Sequence, residues 1–310
     1  MTRRATLALP MLAGAMFLVS CGGNSVVSPS GLPAATPAVS VSVATSTPGP
    51  TPGRVAIISI DGLRPDALAQ AGASHILSLA DRGAYTWRAQ TVLPATTLPS
   101  HASMLSGYAP EVHGIWWNEY APTQGTLPVP TLFSAARAHG LRTAMVVGKD
   151  KFATFRDTGA CDTWLLSSLG DDDVVLQATM VITAARPDLI FVHLPGVDLA
   201  GHTSKWMSAP YLDAVRRADQ AVGRLLAWLP NDTTVILTAD HGGHGIEHGA
   251  EEPADTTIPW IIAGPAIVSG RQLTSTVATV DTAATAALLL GVQLPRDVTG
   301  RSVSEAFLRR

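Results

Sequence analysis

The chain has little of what a charge-driven or cysteine-stapled protein needs. Of its 310 residues only 15% are charged, and the net charge is −3. No basic excess is available to hold nucleic acid or an anionic membrane surface, so a polyanion that binds must be met by local charge or by metal. Two cysteines occur, Cys21 and Cys161. If Cys21 is modified, no intrachain disulfide can form, and an exported chain must then rely on its core and on metal. No Gly-x-Ser-x-Gly elbow is present, which disfavours a serine hydrolase. The apolar run near the amino terminus, Ala5–Leu18, is too short to span a bilayer comfortably.

What the sequence does have is 46% hydrophobic residues, enough for a sizeable core. It also has a marked division of labour along its length. Residues 1–20 read as an export signal: Arg3 and Arg4 are followed by the apolar run, which ends in Leu18-Val-Ser-Cys21. That ending looks like a bacterial lipobox, and Gly22-Gly23 follows at once. The expectation is cleavage before Cys21, a diacylglyceryl group on its sulfur, and anchorage to a bacterial membrane facing the periplasm or the cell exterior. Residues 21–53 are uncharged and rich in Ser, Thr, Pro, Ala, Val and Gly, the composition of an extended tether.

A single folded domain is expected over 54–310. Nearly continuous apolar runs at 55–60, 143–147, 189–194, 235–238 and 258–263 have the pattern of strands buried on both faces. Helical patterns lie between them at 74–82, 132–139, 174–185, 211–229 and 281–290. Strands alternating with helices predict an α/β fold, a doubly wound and mostly parallel sheet covered on both faces.

Ligands of such sheets bind beyond the carboxyl ends of the strands. Asp61-Gly62 follows the first strand, and Asp240-His241-Gly-Gly-His244 follows the run at 235–238. The run at 189–194 leads into Asp198-Leu-Ala-Gly-His202, and Glu247-His248-Gly249 precedes the last strand. An Asp-Gly after a strand is usually a turn, and a lone His in a glycine-rich loop means little. Four such pieces around successive strand ends carry more weight. Imidazole and carboxylate together suit zinc.

Ile60-Asp61-Gly62-Leu63-Arg64, Thr96-Thr97-Leu98-Pro99-Ser100-His101, Asp198-Leu-Ala-Gly-His202 and Asp240-His241-Gly242, in that order, resemble the type I phosphodiesterase/nucleotide pyrophosphatase family of the alkaline phosphatase superfamily. The resemblance implies an alkaline-phosphatase-like fold and two divalent metal ions, most naturally zinc. One ion is implied at Asp198, His202 and His248, with His244 the rival third ligand. The other is implied at Asp61, Asp240, His241 and the oxygen of Thr97. Thr97 is implied as nucleophile, because it precedes a bulky residue and a proline, and Asn118 as a donor to a phosphate oxygen. A helix starting near Ser100 adds backbone N–H groups just after Thr97.

The charges of that set agree. Two divalent ions offset three Asp and a threonine alkoxide, so the loaded site is near neutral and accepts a small anionic phosphorylated substrate. Leu98 occupies the place where nucleotide-hydrolysing relatives stack an aromatic ring on the base, which puts nucleotide specificity in doubt. Trp116 and Trp117 are candidates to replace that surface. Lys149 and Lys151, after the run at 143–147, resemble the lysine pair that phosphonoacetate-hydrolase-like enzymes aim at a substrate carboxylate. As alternate residues of an extended segment they are expected to point the same way. A phosphomonoesterase and a non-catalytic binding lipoprotein are the remaining alternatives.

Overall fold

The computed structural model describes residues 53–308 apart from 121, 157 and 160. The signal segment, Cys21 and all but the last residue of the tether lie outside the described residues. The strands are β1 (Arg54–Ile60), β2 (Ala84–Gln90), β3 (Thr143–Val147), β4 (Thr163–Leu166), β5 (Leu189–Leu194), β6 (Thr233–Thr238), β7 (Thr257–Ala263) and β8 (Arg271–Gln272). They form one sheet in the order β4-β3-β5-β1-β6-β7-β2-β8. β1 is central and parallel to both β5 and β6, and β3 continues the parallel run beyond β5. β7 is antiparallel to β6 and to β2.

The five apolar runs thus become β1, β3, β5, β6 and β7. Ile57, Ile58 and Phe191 are fully buried, each worth about 1.5–3 kcal/mol relative to exposure. Their burial needs helices on both faces. Helices Pro65–Ala71, Ser74–Asp81, Asp171–Ala185 and Gly196–Ser204 all pack on the long helix Ala209–Trp228. Helix Asp281–Leu290 packs with Thr97–Ser106 and Leu132–Ala138.

The topology sets the site. Strands β3, β5, β1 and β6 are neighbours in that order, and their carboxyl ends lead into Lys149, Asp198, Asp61 and Asp240. Four charged groups therefore stand in a row across one edge of the sheet. Two glycines let the row close up. Gly62 has φ +70°, and a Cβ there would lie 2.9 Å from Asp198 Cα. A Cβ on Gly148 would lie 2.4 Å from the Pro195 ring. Any larger residue would push neighbouring strand ends apart.

Candidate active site

Asp61 is fully buried one residue past β1. Its Oδ2 accepts from His193 Nε2 at 2.8 Å and from Lys149 Nζ at 2.7 Å. Its Oδ1 is buried with no hydrogen-bond partner and lies 3.4 Å from His241 Nε2. Asp198, in helix Gly196–Ser204, repeats the division: Oδ2 takes Lys149 Nζ at 2.6 Å, while Oδ1 is unpartnered. That second oxygen lies 3.4 Å from His202 Nε2 and 3.7 Å from His248 Nε2. The spacing of Asp198 and His202, one helical turn, places both on one face. Asp240 Oδ1 accepts the N–H groups of Gly62 and His241 at 3.1 and 3.0 Å. Its Oδ2 is unpartnered and 3.3 Å from His241 Nε2.

The three histidines are oriented alike. Nδ1 of His202, His241 and His248 lies 2.8, 2.8 and 2.9 Å from the carbonyls of Ile246, Gly242 and Ala95. A carbonyl accepts only, so each Nδ1 carries a proton and each Nε2 is turned on the carboxylates. Burial works against a charged His241, but Asp240, Asp61 and Asp198 around it raise it above the usual imidazole value. An Nε2 facing a carboxylate oxygen at 3.3–3.7 Å is unfavourable unless a proton or a metal ion lies between them. The donor set fits a divalent metal, with two groups of ligand atoms lying within 4.8 Å of one another. These are Asp198, His202 and His248, and Asp61, Asp198 and His241. Backbone bonds that fix the tautomer of a ligating histidine are the outer layer such sites need.

The electrostatics have the same origin. Burial and the neighbouring Asp61 push the Asp240 carboxyl up to about 7. Burial also works against ionised Asp61, but Lys149 and the His193 bond hold it well below the usual carboxylate range. Burial, then the proximity of His241, pushes His248 down to about 4, which keeps it neutral.

Thr97 begins its helix after the extended Thr96, and its Oγ1 is buried without a partner, as is Thr96 Oγ1. The segment is pinned at both ends, by His248 on the Ala95 carbonyl and by His101 Nδ1 on the Thr97 carbonyl at 2.8 Å. Asn118 Oδ1 accepts the Leu98 N–H at 3.0 Å, which directs the Asn118 NH2 elsewhere. The Leu98 N–H expected to face phosphate is therefore already taken.

Two expectations need correction. Leu98 is not presented to a substrate surface: its side chain is fully buried in the hydrophobic core. Lys149 and Lys151 do not act as a pair, since Asp150–Phe152 is a tight 3-10 turn rather than extended chain. Lys151 instead lies 3.6 Å from Glu119, while Lys149 enters the carboxylate row. Of the two histidines offered as third ligand beside Asp198, the rival His244 bonds Asp255 at 2.8 Å, while the expected His248 lies 3.7 Å from Asp198. Trp116 is half exposed and Trp117 packs against the core.

Two site residues escaped the sequence reading in any role of their own. His193 donates to Asp61 through Nε2, since its Nδ1 accepts from the Gly148 N–H at 3.3 Å. His101 is fully buried, lies 3.6 Å from Asp240 Oδ2 and holds Ser59 Oγ at 2.8 Å. The one signal was a histidine inside an otherwise apolar strand, two residues before Pro195.

A site of carboxylates and imidazoles at the carboxyl edge of a mostly parallel sheet defines the class. The sequence profile of the type I phosphodiesterase/nucleotide pyrophosphatase family matches residues 55–257, and the chain belongs to that family. The chain is similar to an uncharacterized pyrophosphatase/phosphodiesterase of Schizosaccharomyces pombe, 26% identical over 217 residues, which cover 61% of this chain and 44% of that protein. It is 31% identical over 141 residues to a 2,3-bisphosphoglycerate-independent phosphoglycerate mutase of Rhodopirellula baltica, covering 43% of this chain and 25% of the mutase. The chain thus spans less than half the length of these curated relatives. Among solved structures, an inactive murine ectonucleotide pyrophosphatase/phosphodiesterase 5 in complex with AMP superposes with a TM-score of 0.71, covering 83% of this chain and 100% of that one. At 15% identity that likeness is one of fold.

Proposed function

We propose that the chain is a metal-dependent hydrolase of phosphodiester or pyrophosphate-type bonds, working through Thr97. The observation that carries this reading is the set of three imidazole Nε2 atoms aimed at carboxylate oxygens that have no hydrogen-bond partner. Asp198, His202 and His248 would hold one ion, and Asp61, Asp240 and His241, with Thr97, the other. When bound, such ions neutralise phosphoryl oxygens and ease ionisation of a coordinated hydroxyl. Thr97 Oγ1 displaces the leaving alcohol or phosphate from phosphorus, and water then releases the phosphoryl group and restores Thr97. Asn118, its carboxamide set by the Leu98 N–H, donates its NH2 to a phosphoryl oxygen. His101 and His248 hold the backbone on either side of Thr97 so that the hydroxyl keeps its position. Export and anchorage through Cys21 are part of the same proposal.

The test is an assay of the purified chain with zinc on matched phosphodiester, phosphomonoester, phosphonate and sulfate substrates. The account expects the diester to be preferred. A preference for monoesters of tenfold or more, about 1.4 kcal/mol in transition-state binding, overturns it. A second reading, cleavage of a phosphonate that also carries a carboxylate, is favoured by one observation: Lys149 reaches the row of carboxylates. Preference for the phosphonate in the same assay would select it.

A further inference from the structure

Lys149 bridges two of the site's carboxylates. Its Nζ lies 2.7 Å from Asp61 Oδ2 and 2.6 Å from Asp198 Oδ2, bridging the ends of β1 and β5. Gly148, with no Cβ to strike the Pro195 ring, brings the end of β3 close enough for this. Among the described residues Lys149 is the one lysine or arginine ion-paired to these carboxylates. His202, His241 and His248 each keep Nδ1–H on a backbone carbonyl and turn Nε2 toward the Oδ1 side of these carboxylates, leaving the Oδ2 side to Lys149 and His193. Without the ammonium, the Oδ2 atoms of buried Asp61 and Asp198 lose the one group that bridges them, and the repulsion between the two carboxylates is left to the imidazoles alone.

The same two carboxylates carry the candidate ligand oxygens, Oδ1 in each case. An ammonium on Oδ2 therefore stands within one carboxylate's width of a divalent ion on Oδ1. Like charges so close in a buried site repel strongly. The Lys149 side chain is 20% exposed, so its flexible stem has a way out to solvent.

We propose that Lys149 is an internal counter-ion exchanged for metal. Its ammonium holds Asp61 and Asp198 together in the metal-free protein and leaves them as divalent ions enter. The site is thereby kept assembled before loading, at the cost of weaker metal binding. The released ammonium is then free for a second anionic group of a substrate. This inference rests on the metal reading above.

The experiment compares wild type, Lys149→Met and Lys149→Arg as full chains stripped of metal. Zinc affinity is measured by competition with a chromogenic chelator, and melting is followed with and without zinc. Lys149→Met should bind zinc more tightly, on the order of ten- to a thousandfold, matching the one to three pKa units an adjacent charge imposes on a carboxylate. It should melt earlier than wild type without zinc and regain most of the loss with it, while Lys149→Arg stays close to wild type. If Lys149→Met folds only when zinc is present, the counter-ion role is supported directly. Wild type gives an independent readout: reductive methylation mapped by mass spectrometry should find Lys149 protected without zinc and reactive with it. A wild type that binds no zinc sinks the metal reading itself. Zinc binding by wild type with unchanged affinity in Lys149→Met and unchanged Lys149 protection overturns the counter-ion role alone.

Discussion

His248 donates through Nδ1 to the Ala95 carbonyl at 2.9 Å, so a residue of the loop between β6 and β7 fixes the chain two residues before Thr97. The same ring presents Nε2 to Asp198 at 3.7 Å. A candidate metal ligand and the candidate nucleophile are thus positioned by one side chain. Loss of the ligand should also loosen the nucleophile.

Thr97→Ala removes the attacking oxygen and should lower kcat by several orders of magnitude, with Thr97→Ser retaining part of the rate. Thr96→Ala should be mild. Steady-state kinetics on a diester checks this, and a Thr96→Ala as damaging as Thr97→Ala would reassign the nucleophile.

Leu98 acts through the core. Leu98→Ala should cost about 2–5 kcal/mol in unfolding free energy, as other buried Leu truncations do. KM for nucleotide and non-nucleotide diesters should shift by the same factor. A loss confined to nucleotides, in a protein of unchanged stability, would return Leu98 to the substrate surface.

His193 supplies the Nε2–H that orients Asp61. His193→Phe keeps bulk but removes the donor, and zinc affinity should fall roughly 10–100-fold, the usual effect of losing such a support. Chelator competition measures it directly.

Glu305 clamps the end of the chain by accepting from the N–H and hydroxyl groups of Thr274 and Ser275 at 2.8–3.1 Å. The Ser275 and Thr274 amides, with those hydroxyls, hold it down at about 2. A carboxylate with a depressed folded pKa stabilises above its unfolded value, near 4.5, and the contribution is lost as pH falls through about 2. Glu305→Gln should therefore lower Tm by a few degrees, roughly, at neutral pH and make little difference at pH 2. Melting curves at both pH values decide it.

Much of this was legible because parallel strands buried on both faces read as continuous apolar runs, and β1, β3, β5, β6 and β7 do. β2 was not, since Trp87 and Arg88 break its pattern at a partly solvated strand. β4 is four partly exposed residues at the sheet edge. The helix Gly196–Ser204 has no apolar stripe because Asp198 takes a place on its buried face and His202, one turn on, is exposed at the site's edge. Asp61, Asp198, His202, Asp240, His241 and His248 were visible because acids and imidazoles are rare beside apolar strands. The separate paths of Lys149 and Lys151 were hidden, because a 3-10 turn of Asp-Lys-Phe has no sequence signature that extended chain lacks.

Metal stoichiometry tests the central claim most directly. The stripped full chain is dialysed against zinc and the bound metal is counted by elemental analysis. The account predicts two ions per wild-type chain and about one after His202→Ala, which empties the site of Asp198, His202 and His248. Far less than one ion per wild-type chain, or an undiminished count in His202→Ala, would contradict it.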